Sequence, residues 1–256
     1  MNTASYLILL LFALLPGSIW LVFFLIRDKH PEPKKKVLEI LFWGGAITLP
    51  AIAIELIIYR LFDSLNSFFA PYLFLLITAL IIAFVEEFLK YLVIKEKVIN
   101  TKELDEPIDA MMYMVTAAMG FAAIENILIL FSLVPHFILK DAAFLSILRF
   151  VGATFLHALA SAYIGYFLAL SFFETKRRKI LIFLGIFIST FLHALYNFSI
   201  MIEKEWIGFS VIVILALVVS FLIENIKEIA SICLPGFTSK TKNNNHFANF
   251  NKTKKQ

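Results

Sequence analysis

Long apolar runs constrain this chain more than anything else in it. Between charged breaks they fall at residues 5–26, 37–59, 72–94, 109–133, 147–170, 180–201 and 207–223. A helix needs about 17–25 apolar residues to cross the hydrocarbon of a bilayer. Within hydrocarbon every backbone polar group must be paired inside its own segment, and runs of this length without strand alternation do that as helices. The pattern predicts an all-α polytopic membrane protein with about seven transmembrane helices. Composition agrees: 61% of residues are hydrophobic and 16% charged, against about a quarter charged in soluble domains. The first run is long and has no basic stretch before it, so it is expected to be a permanent span and not a cleaved signal. Residues 1–223 are then one integral-membrane domain. From 224 to 256 the chain is expected to be a cytoplasmic, disordered tail, because apolar periodicity ends after Ile232 and an Asn243–Asn245 run and terminal lysines follow.

Loop charges set the expected orientation. Arg27, Lys29, Lys34, Lys35 and Lys36, then Lys95, Lys97 and Lys102, then Lys176, Arg177, Arg178 and Lys179 fall in loops one, three and five, whereas the alternate loops carry Arg60, Lys140 and Lys204. By the positive-inside rule the N-terminus lies outside and the C-terminus inside. The net charge of +4 is thereby a matter of topology, and no nucleic-acid partner is expected. Cys233 is the single cysteine, which excludes an intramolecular disulfide and a cysteine-rich metal site. Gly44, Gly45 and Pro50 in the second run are read as close packing or a local bend.

Charged side chains inside hydrocarbon are costly and need a reason. The third run holds Glu86, Glu87 and Lys90. At about 100° per residue, positions 86 and 90 are about 40° apart and 86 and 87 about 100° apart, which puts all three on one corner of a helix. Two carboxylates with one lysine need a further partner from another helix. The fourth run carries Glu125 and Asn126, and Asp109 at its start is read as a helix N-terminal charge. The fifth run places His157 among small residues from Gly152 to Gly165, and the sixth has His193 and Asn197 one turn apart on one face. Histidines on two spans beside intramembrane carboxylates assemble a base, an electrophile and an amide donor. Glu55 and Arg149 read as interfacial, snorkelling residues, and His30, His136 and His246 as solvated.

The segments Glu86-Glu87-x-x-Lys90, Glu106-Pro107-x-Asp109, Gly120-Phe121-Ala122-Ala123-Ile124-Glu125-Asn126, His157 with Gly165 eight residues on, and His193-x-x-x-Asn197 together resemble the PrsW family of bacterial intramembrane proteases. The loop Asp28-Lys29-His30-Pro31-Glu32-Pro33 is similar to one in that family as well. A more distant likeness, carried by the Glu pair, the later His and the His-x-x-x-Asn, is to the CAAX prenyl proteases. The likeness covers about residues 20–200. It implies peptide-bond hydrolysis in a cavity of the bacterial cytoplasmic membrane. The expected substrate is a single-span membrane protein, in the family's best-known setting an anti-sigma factor of a stress response.

Amide hydrolysis needs an activated water, a proton for the leaving nitrogen and stabilisation of an oxyanion. We expect Glu86 to be the base and His157 to help hold the water. His193 and Asn197 donate to the oxyanion, Glu87 and Lys90 fix Glu86, and Glu125 with Asn126 orients a histidine. No His-Glu-x-x-His motif is present, so no cofactor is assigned and a glutamate mechanism is favoured. If a divalent metal such as zinc takes part, Glu125, His157 and His193 are the candidate ligands. Two alternatives stand beside this: a CAAX-like or bacteriocin-immunity peptidase, and a proton- or cation-coupled transporter, which would carry solute without peptide products.

Overall fold

The computed structural model describes residues 3–26, 30–63, 70–134 and 138–233. Among them the chain is all helical: α1 (Thr3–Leu25), α2 (Lys34–Ala46), α3 (Thr48–Asp63), α4 (Pro71–Lys97), α5 (Pro107–Phe131), α6 (Leu139–Val151), α7 (Ala153–Phe173), a 3-10 turn (Thr175–Arg177), α8 (Arg178–Met201) and α9 (Glu205–Cys233). Seven helical stretches are long and apolar enough to cross a membrane, as the sequence predicts. Two of them are broken.

The second span divides into α2 and α3 at Ile47. Pro50 has no N–H and its ring crowds the carbonyl four residues back, which weakens the helix between Ala46 and Pro50, where the break falls. The two glycines before the break serve close packing. A Cβ on Gly44 would lie 2.1 Å from the Ala117 carbonyl oxygen, and one on Gly120 would lie 2.0 Å from that of Leu41. α2 therefore rests backbone to backbone on α5, and beyond the break α3 leans on α4. The fifth span breaks at Gly152 between α6 and α7. It begins at Leu139, eight residues before the expected boundary at 147, and ends at Phe173.

α5 is the axis of the bundle. It packs on α7, α2 and α1 and is buried almost continuously from Pro107 to Ala122. Its start is fixed by Pro107 in the first turn and by reciprocal capping: the Asp109 carboxylate accepts from the backbone N–H groups of Asp105 at 2.8 Å and Glu106 at 2.5 Å. Asp109 is thus the N-terminal charge the sequence suggests. The Pro31–Pro33 loop docks here too, with Tyr113 donating to the Glu32 carboxylate and His30 paired with Glu106 at 2.6 Å. α1 is tied to the Gly152 break by Trp20, whose indole N–H donates to the Phe150 carbonyl at 2.8 Å and whose ring stacks on Phe155 at 3.8 Å.

α9 continues to Cys233. The expected tail boundary at 224 is therefore too early by about three helical turns, because the apolar pattern up to Ile232 supports a helix past the last charged break. Residues 234–256, with His246, and the loop residue His136 lie outside the described residues.

Candidate active site

α4, α7 and α8 bring the predicted residues together. Glu86 is 5% exposed, His157 and His193 are each 2%, and Glu87 and Lys90 are fully buried. At the centre is the Lys90 ammonium, whose Nζ lies 2.8 Å from Glu87 Oε1, 3.4 Å from Glu86 Oε2 and 2.9 Å from His157 Nδ1. An ammonium has three donors, and these contacts account for all of them. The Phe121 ring closes the remaining side, its centroid 4.4 Å from Nζ.

Partner chemistry assigns both imidazole tautomers. His157 Nδ1 faces an ammonium and therefore accepts, so Nε2 carries the proton and donates to Glu125 Oε2 at 2.9 Å. Both of its nitrogens are held by protein groups, which leaves none for the water that sequence reasoning gave it. His193 Nδ1 donates to Glu87 Oε1 at 2.9 Å, which leaves Nε2 as a lone pair 3.9 Å from Glu86 Oε2. In this tautomer His193 presents an acceptor, where the sequence suggested an oxyanion donor. Glu87 also accepts from Ser161 at 3.1 Å. Glu86 is held more loosely than its neighbour, 3.7 Å from His157 Nδ1. Asn197 is half-buried one turn beyond His193, and none of the contacts above engages its amide.

Glu125 accepts from His157 Nε2, whereas Asn126 makes no contact with either imidazole among its hydrogen bonds. It donates to the Ala13 carbonyl at 3.2 Å and to Thr154 Oγ1 at 3.1 Å and accepts from the Arg149 guanidinium, so it locks α1, α6 and α7 to α5. Arg149, expected from its sequence position at the interface, turns into the bundle instead. It pairs with Glu125 at 2.8 Å and supplies the cation that Glu125 lacked. Placing the start of the fifth span at 147 made it interfacial. With α6 beginning at Leu139 it lies about 15 Å along the helix.

Glu55 is corrected as well. It does not snorkel to an interface: its Oε1 is buried without a hydrogen-bond partner, and its carboxyl is in electrostatic reach of Glu86, Glu125 and Lys90. The sequence signal is a lone acid in an apolar helix, with Tyr59 and Arg60 following it.

Among the described residues, the group that can share a metal ion is Glu86, Glu87, His157 and His193, whose ligand atoms all lie within 4.8 Å of one another. Glu125, named with the two histidines from sequence, sits on the far nitrogen of His157 and outside that group.

Four of the seven spans bring carboxylates, imidazoles and an ammonium into one buried contact network, the residue types of acid–base chemistry inside a membrane protein. The particular family follows from comparison with known proteins. The family described as PrsW family intramembrane metalloprotease matches residues 32–223, and the chain belongs to it: it is a multi-pass intramembrane protease. The Protease PrsW of Geobacillus kaustophilus (strain HTA426) is 27% identical over 192 residues, 75% of this chain and 79% of that protein. That of Clostridioides difficile (strain 630) is 28% identical over 203 residues, 77% and 81%, and that of Bacillus subtilis (strain 168) is 27% identical over 194 residues, 75% and 82%. No solved structure matches the chain significantly. Family membership decides for a protease over a proton- or cation-coupled transporter.

Proposed function

We propose that the chain makes a first cut in a membrane-anchored anti-sigma factor, in the cytoplasmic membrane of a bacterium and with its N-terminus outside, and that Glu86 is the base of the reaction. One observation carries the catalytic part: Glu86 Oε2 and His193 Nε2, 3.9 Å apart, are two acceptors close enough to share one water. A water donating to both is polarised there, and Glu86 takes its proton as the oxygen attacks the scissile carbonyl. The same carboxyl then gives that proton to the leaving nitrogen. The Asn197 amide, one turn from His193, donates to the oxyanion. Lys90 and Glu87 fix the positions of Glu86 and His193, while the Arg149–Glu125 pair holds His157 against Lys90.

The family description implies a metal. The donor types of Glu86, Glu87, His157 and His193 suit a divalent ion. The Lys90 ammonium, however, already contacts three of those four groups at 2.8–3.4 Å, and an ion bound by them would face that charge at contact distance. With Lys90 in this position the residues do not fit a metal, and no step above runs through one.

The test is co-expression with single-span membrane proteins, anti-sigma factors first, and immunoblotting for shortened products. Wild type is expected to yield a fragment that Glu86→Gln does not. An equal fragment from Glu86→Gln removes Glu86 from the reaction, and cleavage confined to other substrate classes removes the anti-sigma assignment.

A further inference from the structure

Among the described residues, Glu86, Glu87 and Glu125 each meet a cation at the site. Glu86 and Glu87 share Lys90, Glu87 has His193 and Ser161 besides, and Glu125 has Arg149 and His157. Glu55 approaches the same charges from α3, yet its buried Oε1 meets no donor. The charged groups that act on it include two carboxylates, Glu86 and Glu125, against one lysine that is already committed. A buried carboxylate oxygen without a hydrogen bond is unfavourable, and an intramembrane acid held this way points to function. Glu55 also stands outside the four residues whose ligand atoms can share an ion.

α2 is clamped to α5 through Gly44, Gly45 and Gly120; beyond the break at Ile47, α3 keeps α5 at its first turn, where buried Thr48 donates to the Phe121 carbonyl at 3.4 Å, and then packs mainly on α4. α3 carries Leu49, Ile54, Leu56 and Ile57 exposed, a face turned to lipid.

We propose that Glu55 is a specificity-determining residue, whose free oxygen receives the Lys or Arg side chain of a substrate residue flanking the scissile bond. This rests on the protease reading. Such a side chain brings the charge and the N–H donors that Glu55 lacks, and it anchors the peptide beside Glu86 without touching the reacting atoms.

The experiment uses full-length protein in membranes and single-span reporter substrates carrying Lys, Gln or Glu at each position flanking the mapped cut. Wild type is expected to cut the best Lys reporter about tenfold faster than its Gln counterpart, the effect of one hydrogen bond to a charged group. Glu55→Gln is expected to cut both at one rate, and Glu55→Lys to prefer the Glu reporter. A reversal of charge preference is something a merely structural role cannot produce. Equal Lys and Gln rates for wild type, or an unchanged preference in Glu55→Gln, overturn the proposal while Glu86-dependent cleavage leaves the protease reading intact. If no reporter is cut in a Glu86-dependent way, both fall. Where Glu55→Gln does not fold, the Lys-to-Gln ratio of wild type decides alone.

Discussion

Replacing Lys90 by Met removes the cation at the centre of the network while nearly keeping its volume, so the cavity contribution is small and the change reports electrostatics. Lys90 is fully buried and contacts Glu87 at 2.8 Å, Glu86 at 3.4 Å and His157 at 2.9 Å. Breaking a buried pair by removing one partner costs about 3–5 kcal/mol, because the remaining charge stays behind. Glu87 keeps Ser161 and His193, which puts the expected loss near the lower end, about 3 kcal/mol. The double variant Lys90→Met, Glu87→Gln removes both charges and should recover part of that loss. A double-mutant cycle should therefore return a coupling of about 1–3 kcal/mol. The assay is reversible unfolding in mixed micelles followed by tryptophan fluorescence. A loss below about 1 kcal/mol for Lys90→Met, or two single effects that simply add, would refute the picture of a buried ammonium compensating Glu87.

The remaining predictions use the same contacts. Gly120→Leu places a side chain where a Cβ already meets the Leu41 carbonyl at 2.0 Å, so α2 must leave α5 and folded yield should collapse, read as the monodisperse fraction after extraction. Arg149→Met leaves Glu125 without its cation and should lower stability by about 2–4 kcal/mol. Arg149→Met, Glu125→Gln should restore much of it in the same unfolding assay. Asn197→Ala breaks no hydrogen bond in the contact network described above, so it should leave unfolding unchanged and reduce cleavage about 100-fold, the scale of losing one oxyanion donor. Cleavage should withstand a strong chelator, and metal analysis of the purified protein should not find a stoichiometric ion; chelator loss restored by zinc would show that Lys90 moves aside for a metal.

How much of this was legible in the sequence depended on whether the signal was local. Helix number followed from run length, and the Glu86–Glu87–Lys90 corner followed from helical angle alone, since both are set within one segment. Asp109 was read correctly because capping is decided within four residues. The breaks were harder. Pro50 and Gly152 were visible, but whether such residues bend a span or divide it depends on the neighbours, here α5 beneath Gly44 and Tyr196 2.5 Å from where a Gly152 Cβ would lie. Arg149 and Glu55 were misjudged for one reason: both lie near the ends of apolar runs, where snorkelling is the cheaper explanation, and only the approach of other helices turns them inward. The imidazole roles were not legible, because a tautomer is set by partners on other helices. The metal ligands were chosen by residue type, whereas the structure groups them by which ring nitrogen faces which carboxylate.

The central claim is that Glu86 acts on water in a site preorganised by Lys90, Glu87 and the two histidines. The most direct measurement is cleavage of a mapped single-span substrate by purified wild type and by Glu86→Gln, with unfolding measured on the same preparations. Glu86 makes the weakest contacts in the cluster, so the account predicts near-wild-type stability for Glu86→Gln together with loss of cleavage by at least about 100-fold, the lower bound for removing a positioned general base. Cleavage retained within a few-fold of wild type by a folded Glu86→Gln protein would contradict it.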